Sequence, residues 1–215
     1  MNRHQTSMAE MGQDHPIFTE SIRLIRAALG ETGLGHLEQQ VLERLVHSSG
    51  DVSIAELLHF SPGACESGLA ALRAGAVILT DTEMAAAAVR PMAQRTLGTR
   101  VDCLLEWSPQ QASAGTTRSA EGMRRAWIEL SEHQDPAPIV LIGSAPTALE
   151  CLLDCVHEGL LSPSLIVGMP VGFVGVPESK RRLARSPHHQ IRLDGTRGGA
   201  GLSGATVNAL LRAAI

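Results

Sequence analysis

Apolar residues follow two different rhythms along this chain, one before and one after Gly75. Before it, they recur every three to four residues over 17–29 and 34–46, which predicts amphipathic helices. A further helix is predicted over 63–74, with Gly75 as its C-terminal stop. The first third of the chain is therefore expected to be a helical segment.

Short apolar runs replace this spacing after Gly75, and each run is followed by a polar or glycine-containing turn and a helical stretch. The predicted strands are 76–80, 101–106, 139–142, 165–167 and, more weakly, 190–193. Such alternation is typical of a parallel sheet covered by helices on both faces. We predict an α/β fold over residues 15–215: one doubly wound, parallel sheet of about five strands after the N-terminal helical segment. Residues 1–14 are polar and are expected to form a loose, flexible N-terminus.

Composition narrows the classes of function. The chain has 215 residues, 44% of them hydrophobic, so it can bury a substantial core. Aromatic residues make up only 2%, and the net charge is −4, which argues against binding nucleic acid by stacking and positive charge. No apolar run approaches the length of a membrane span and no apolar signal region opens the chain, so we expect a cytoplasmic protein without a membrane partner.

Metal binding is not predicted. The four cysteines form no Cys-x-x-Cys pair, and Cys151 and Cys155 are expected to be buried thiols on one helix face. The adjacent His188 and His189 have no third ligand at a suitable spacing.

A ligand site is predicted at one edge of the sheet, because ligands of such folds bind beyond the carboxyl ends of the strands. Four segments should meet there: 80–82, 116–119, 143–147 and 168–180. Each offers hydroxyls, backbone N–H groups or a cation near a helix start, which suits an anion.

The loop 168–180 is the most informative of these segments. Its first ten residues hold three glycines and two prolines around an apolar Val-Gly-Phe-Val centre. The loop is too apolar for a purely solvent-exposed turn and too broken for a core strand. Such a loop suits a strand end at which bare backbone lies against a flat ligand.

Other motifs have an ordinary structural explanation beside a functional one. Segment 143–147 can be a well-formed helix start capped by Ser144. The basic cluster 180–185 can be a solvated helix face or a site for a polyanion. The glycine-rich loop at 196–203 lacks a dinucleotide fingerprint but can form a carboxylate-binding nest with Arg197. By itself, His47 at a helix end favours a structural role.

In series, these segments resemble the precorrin-8X methylmutase family of cobalamin biosynthesis. They keep the family's order over roughly residues 15–213, and the string Gly168–Lys180 is the most specific of them. The matching segments are Leu45–Asp51, Phe60–Pro62, Asp81–Met84, Thr117–Ala120, Ala145–Leu149, Gly168–Lys180 and Val207–Leu210.

The resemblance implies a flavodoxin-like fold and a homodimer with a tetrapyrrole cleft at the subunit contact. It implies that a methyl group migrates from C-11 to C-12 of precorrin-8X, or of cobalt-precorrin-8, to give hydrogenobyrinate or cobyrinate. No cofactor is expected, because substrate and product are isomers. The family's catalytic histidine falls on His47, which we expect to be the general acid. Histidine suits this role because its ordinary pKa of about 6.5 allows proton donation near neutral pH.

The substrate's acetate and propionate groups call for cationic or hydroxyl partners. Arg118 and Arg197 are the candidates for them, since a guanidinium can pair with a carboxylate through two bonds. Further candidates for substrate binding are Ser21, Ser61, Thr82, Thr117, Ser144 and Gly172.

Two other functions remain as alternatives to the isomerase. One is a non-catalytic carrier that holds a corrinoid, which would not need His47. The other, from the fold alone, is a nucleotide- or phosphate-binding domain, which the missing phosphate-loop motif disfavours.

Overall fold

The computed structural model describes residues 15–133 and 135–215, so the predicted loose terminus, 1–14, lies outside the described residues. The α-helices within these ranges are α1 (Pro16–Leu29), α2 (His36–Ser49), α3 (Ala64–Arg73), α4 (Glu83–Arg95), α5 (Arg118–His133), α6 (Pro146–His157), α7 (Val176–Ala184) and α8 (Ala200–Ala213). The strands are β1 (Leu58–Phe60), β2 (Ile78–Thr80), β3 (Val101–Cys103), β4 (Ile139–Ile142), β5 (Leu165–Gly168) and β6 (Gln190–Leu193). Of the helices in the described ranges, none combines the length and apolar character that crossing a bilayer requires.

The sheet is mixed and has six strands within the described residues, in the order β1-β6-β5-β4-β2-β3. Strands β2 to β6 are parallel, whereas β1 pairs antiparallel with β6 through Leu58–Leu193 and Phe60–Ile191. The prediction of a wholly parallel sheet of about five strands is therefore corrected. Strand β1 has only three residues, too few for an alternating pattern, and its partner strand comes near the end of the chain.

Helices cover both faces of the sheet. Successive side chains of a strand point to opposite faces, so Ile139 and Leu141 join a core cluster with α2, α3, α4 and α8. Val140 and Ile142 join a second cluster, with α5, α6 and α7. All four residues are fully buried, which explains why this strand is apolar throughout rather than alternating.

The carboxyl ends of the parallel strands define one edge of the sheet, which we call the rim. It consists of the segments 80–82, 104–109, 143–147, 168–175 and 194–199, which follow β2, β3, β4, β5 and β6. Since β1 runs in the opposite direction, its first residue and the 3₁₀ turn Val52–Glu56 before it lie on the rim side. This arrangement brings the C-terminal end of α2 to the rim.

Candidate active site

His47 lies in the last turn of α2 with its side chain exposed. The helix ends at Gly50, which adopts left-handed backbone angles (φ 67°, ψ 18°) and donates its N–H to the Val46 carbonyl. Glycine is favoured at this position because it has no Cβ to clash. The helix therefore stops within one turn of His47 and leaves the imidazole uncovered.

Two residues of α1 contact this imidazole. The Ser21 hydroxyl oxygen lies 2.8 Å from His47 Nδ1. The Phe18 ring meets the imidazole edge to face, with centroids 5.0 Å apart and planes at 76°. Residues three apart share a helix face, so one face of α1 supplies both contacts. The sequence pointed to Ser21 only through the resemblance, and nothing in it singled out Phe18.

The Ser21 bond also decides which ring nitrogen is available for chemistry. Where Nδ1 accepts the serine proton, the proton of a neutral imidazole sits on Nε2. Among the described residues, Nε2 of His47 has no hydrogen-bond partner. The arrangement leaves that nitrogen available to a ligand.

A cavity of ≈ 690 Å³ opens beside His47, between α1 and the end of α2. Small-molecule sites typically enclose about 300–1,000 Å³ and are mainly apolar with a few polar groups. This cavity fits that description, because Glu20, Ser21 and His47 are its ionisable or hydroxyl side chains. Its remaining lining is Pro16, Ile17, Leu24, Ile25, Ala28, Val46, Gly50 and Val52.

Arg197 joins the rim to the His47 end of α2. Its guanidinium lies 2.7 Å from Asp51 Oδ2 and donates to the Ser53 hydroxyl at 2.7 Å. The Ser53 hydroxyl and N–H, followed by Arg197, lower the pKa of Asp51. Arg197 thus reaches the residue four positions after the predicted acid, and Asp51 already balances part of its charge.

The segments 168–175 and 194–199 are hydrogen-bonded to each other. Gly172 donates its N–H to the Thr196 carbonyl at 3.0 Å, and Gly199 donates to Met169 at 2.8 Å. At Gly198, an added Cβ would lie 2.0 Å from the Met169 oxygen. Backbone packs against backbone here because no side chain intervenes.

The apolar centre of segment 168–175 is open to solvent. Phe173 is 84% exposed and Val174 is 91% exposed. The loop follows the buried strand β5, as predicted. Its exposed apolar side chains are available to a ligand at the rim.

The turn between β4 and α6 is bound by a carboxylate of the chain itself. Asp81 Oδ2 accepts the N–H groups of Gly143, Ser144 and Ala145 at 3.0, 2.6 and 2.8 Å. Asp81 is fully buried, and burial raises its pKa although the three N–H groups act in the opposite direction. The anion site that the sequence offered at this turn is therefore already filled.

Ser144 does not have the capping role predicted for it. The N-cap of α6 is Ala145, which makes no side-chain capping bond. The Ser144 backbone N–H is used by Asp81, while its side chain stays partly exposed at the rim. Sequence reasoning missed Asp81 as an individual residue; an acid directly after a buried strand was the available signal.

Thr82, Thr117 and Arg118 lie on the β2–β3 side of the rim. Thr82 caps α4 by accepting the Ala85 N–H at 3.3 Å. The Thr117 hydroxyl lies 2.7 Å from that of Thr147, so the starts of α5 and α6 are adjacent. Arg118 is exposed and donates through Nε to the Pro109 carbonyl at 2.8 Å.

The strand order separates these residues from His47 within one chain. His47 and Arg197 lie near β1 and β6, whereas Thr82 and Arg118 lie at β2 and β3, across the sheet. Gly172 and Ser144 lie between the two groups, after β5 and β4.

Ser61 lies at the opposite edge of the sheet from the rim. Its hydroxyl accepts the Gln190 N–H at 2.9 Å, and its own N–H donates to the Gln190 carbonyl. Since Gln190 begins β6, the structure does not bring Ser61 to the rim of the same chain.

The basic cluster 180–185 is largely occupied by contacts within the chain. Arg182 pairs with both Glu150 and Asp154 of α6. Arg181 pairs with Glu178 at 2.8 Å, and Lys180 is buried. The solvated helix face therefore holds for Arg181 and Arg185, which are exposed, but not for Lys180.

Comparison with known proteins identifies the family. The family model described as precorrin-8X methylmutase matches residues 16–213. The precorrin-8X methylmutase of Pseudomonas aeruginosa is 40% identical over 201 residues, which are 90% of this chain and 93% of that protein. The cobalt-precorrin-8 methylmutase of Synechocystis sp. is 33% identical over 212 residues, 92% of this chain and 95% of that one.

A solved structure agrees with these relatives. The crystal structure of a precorrin-8X methyl mutase from Thermus thermophilus superposes with a TM-score of 0.83 at 38% identity, covering 92% of this chain and 95% of that chain. The resemblance noted in the sequence is confirmed, and this chain belongs to the precorrin-8X methylmutase family.

Proposed function

We propose that this protein moves a methyl group from C-11 to C-12 of precorrin-8X or cobalt-precorrin-8, giving hydrogenobyrinate or cobyrinate, with His47 as the general acid. The family makes the chain an isomerase of cobalamin biosynthesis, since methylmutases are intramolecular methyl transferases. The observation that carries the choice of acid is the 2.8 Å contact between His47 Nδ1 and Ser21, beside the cavity of ≈ 690 Å³.

The reaction adds and removes no atoms, so the site has to lend a proton and take it back. Protonation by His47 at the ring-C nitrogen, or at the adjacent position, draws electrons from the carbon that accepts the methyl group. The methyl group and its bonding electrons then pass from C-11 to C-12, and the imidazole recovers the proton. A well-placed general acid of this kind contributes about 10²–10⁴ in rate.

The two contacts from α1 fit this role. Ser21 binds Nδ1, which leaves Nε2 as the proton donor. The Phe18 ring, packed at 76° to the imidazole, restricts rotation of the imidazole plane. Holding a catalytic group in one orientation lowers the entropy that the reaction has to lose.

Apolar and polar groups are proposed to bind different parts of the macrocycle. The cavity lining and the exposed Phe173 and Val174 suit the ring faces, and Gly172 lets backbone approach them. Arg118 and Arg197 are proposed partners of the carboxylates.

Hydroxyl groups are proposed to assist the two arginines. Thr82, Thr117 and Ser144 supply them along the rim, and Ser61 is left out of the site of a single chain.

A homodimer is part of this proposal. Its support is exposed apolar side chains in two parts of the proposed site: Ile17 of the cavity lining is 73% exposed, and Phe173 and Val174 of the rim loop are 84% and 91% exposed. Exposed apolar surface of this kind marks a binding region. Sedimentation velocity should give twice the chain mass, and an active monomer would contradict the homodimer.

The fold is proposed to be flavodoxin-like. The order of the parallel strands, 2-1-3-4-5 when β2 to β6 are counted alone, supports this description. A single domain over 15–215 and a cytoplasmic location also belong to the proposal.

The test follows the visible spectrum of purified protein given precorrin-8X. Wild type should shift the spectrum as conjugation rearranges, whereas His47→Ala should slow turnover by about 10²-fold or more. Its affinity for the corrinoid product should stay within about tenfold, ~1.4 kcal/mol. His36→Ala is the matched control, because His36 is exposed at the other end of α2.

Two outcomes would contradict the proposal. Normal turnover by His47→Ala would remove this residue as the acid. An unchanged spectrum with intact binding in wild type would favour the carrier function instead.

A further inference from the structure

Lys180 is a buried cation that the proposed reaction does not use. It lies in α7, at the end of the glycine-rich string, and only 1% of its surface is exposed. Its ammonium donates to the carbonyls of Gly195 at 3.0 Å and Arg197 at 2.5 Å. Both carbonyls belong to the rim segment 194–199, so one buried side chain binds the backbone of this segment twice.

The groups around Lys180 compensate only part of the cost of burying its charge. Burial penalises the ammonium and lowers the pKa of Lys180 to about 8, while the carboxylate of Asp194 acts in the opposite direction. Asp194 is shared, since it also pairs with His59 and Arg192, each at 3.0 Å. The Arg197 guanidinium is directed to Asp51 rather than to this carboxylate.

The segment 194–199 has two further attachments. Gly172 and Met169 of the neighbouring rim loop bond to its backbone, and Arg197 reaches Asp51, which directly follows the cap of α2. Lys180 thus binds the backbone of the residue whose side chain contacts the His47 end of α2. A continuous set of hydrogen bonds links α7 to that helix end.

We propose that Lys180 is a positioning residue: its ammonium holds segment 194–199 so that Arg197 stays paired with Asp51 at the end of the helix that carries His47, and loss of the charge releases the segment and weakens substrate binding. The kinetic part of this inference rests on the proposed function. The attachment itself can be measured without substrate.

Loss of the charge on Lys180 should raise the free energy of unfolding but weaken the attachment of segment 194–199. The folded pKa of Lys180, about 8, lies below the ordinary value of 10.5, so in this window the unfolded chain binds more protons than the folded chain. The stability contributed by this group therefore rises with pH across that window. The hold on segment 194–199 weakens over the same window. If Lys180 served only global stability, the free energy of unfolding and the attachment of segment 194–199 would rise or fall together.

Lys180→Met removes the charge and keeps most of the side-chain volume. Replacing a buried ion by an apolar side chain is often neutral or stabilising. Gly195 and Arg197 are exposed residues, so water can take over their carbonyls when the segment moves. The melting temperature should therefore fall by no more than ~3 °C. Arg181→Met is the matched control, since it removes an exposed charge from the next residue of α7.

Hydrogen exchange by mass spectrometry tests the attachment in the absence of substrate. In Lys180→Met, peptides that contain the Gly172 and Gly199 amides should exchange about tenfold faster than in wild type, relative to a peptide of α6. With precorrin-8X, KM should rise about tenfold while kcat stays within about twofold. Arg181→Met should leave both measurements unchanged.

Wild-type protein provides a second test that does not depend on the folding of any variant. The same exchange ratio should rise between about pH 7 and about pH 9.5, as Lys180 loses its proton. An exchange ratio that does not respond to pH in wild type, or to Lys180→Met in a folded variant, would overturn the proposal. If exchange responds but wild type does not convert precorrin-8X, the attachment stands and the proposed function fails.

Discussion

Ser21 and His47 are 26 residues apart in the sequence, yet the serine hydroxyl lies 2.8 Å from Nδ1 of the imidazole. The contact crosses from α1 to the last turn of α2. The predicted acid therefore becomes oriented only when the first helix packs against the second.

Ser21→Ala should lower kcat about tenfold with little change in KM. The reason is that the imidazole loses the hydrogen bond that fixes its orientation and that determines which ring nitrogen carries the proton. Steady-state kinetics at several pH values measures this. Thr19→Ala is the control, because Thr19 is exposed on the same helix. An unchanged kcat would mean that Ser21 does not orient His47.

Arg118→Ala should mainly weaken substrate binding, raising KM and the dissociation constant of the product about tenfold. Arg118 is exposed at the rim, so its loss should leave folding intact. Absorbance titration with the corrinoid product measures the affinity. Arg125→Ala on the same helix, where Arg125 pairs loosely with Glu121 at 3.6 Å, is the control. Equal affinities for both variants would remove Arg118 from the site.

Asp81→Ala should destabilise the fold by about 3 kcal/mol, because three backbone N–H groups lose their acceptor. Asp81→Asn should cost less, since its amide oxygen still accepts. Urea unfolding of both variants gives the difference. A loss of under about 0.5 kcal/mol in the alanine variant would contradict the role given to this carboxylate.

The pH dependence of this effect has a definite sign. Burial raises the pKa of Asp81 above its ordinary value of 3.8, so the folded chain holds this proton more tightly than the unfolded chain. Stability contributed by Asp81 therefore falls as pH rises from about the ordinary value through the raised pKa. Asp81→Asn removes this dependence, so the stability of the variant relative to wild type should increase over the same interval. Urea titrations from about pH 4 to about pH 7 measure it.

Gly198→Ala should separate the two rim loops, because the new Cβ would lie 2.0 Å from the Met169 oxygen. Overpacking of this kind costs about 1–3 kcal/mol. Gly201→Ala is a close control, since Gly201 lies in α8 with no atom within 4 Å of the added Cβ. Thermal unfolding should separate the two variants, and equal melting temperatures would show that the contact at Gly198 is easily relieved.

The sequence predicted the helices and the parallel strands because each has a local signature. Buried strands such as 139–142 and 165–167 are continuous apolar runs, and both are found as predicted. The predicted strand 101–106 is shorter, because after Cys103 the backbone turns into a 3₁₀ helix. The antiparallel β1 has no local signature, since its pairing depends on a strand near the other end of the chain.

The residues of the candidate site also fall into those that the sequence could indicate and those that depend on contacts between distant segments. His47, which the resemblance names, and Arg197, a candidate from its glycine-rich loop, lie on the same side of the rim, where Arg197 pairs with Asp51 after the end of α2. Asp81 and Lys180 were not predicted as individual residues, because what defines them is burial against backbone groups of distant loops. Local pattern cannot reveal such contacts. The edge on which Ser61 lies depends on the direction of β1, which only the pairing determines.

Helix α1 contains no fully buried residue, although Ile25 and Leu29 touch the core and Arg26 pairs with the buried Glu43. Segments with little buried apolar surface detach at a lower free energy than the whole domain unfolds. On gentle warming, catalysis should therefore cease while the sheet still gives its full circular dichroism signal. The temperature at which this protein stops working is then set by its most weakly attached helix, and mutations that tighten α1 should extend the working range without raising the melting point.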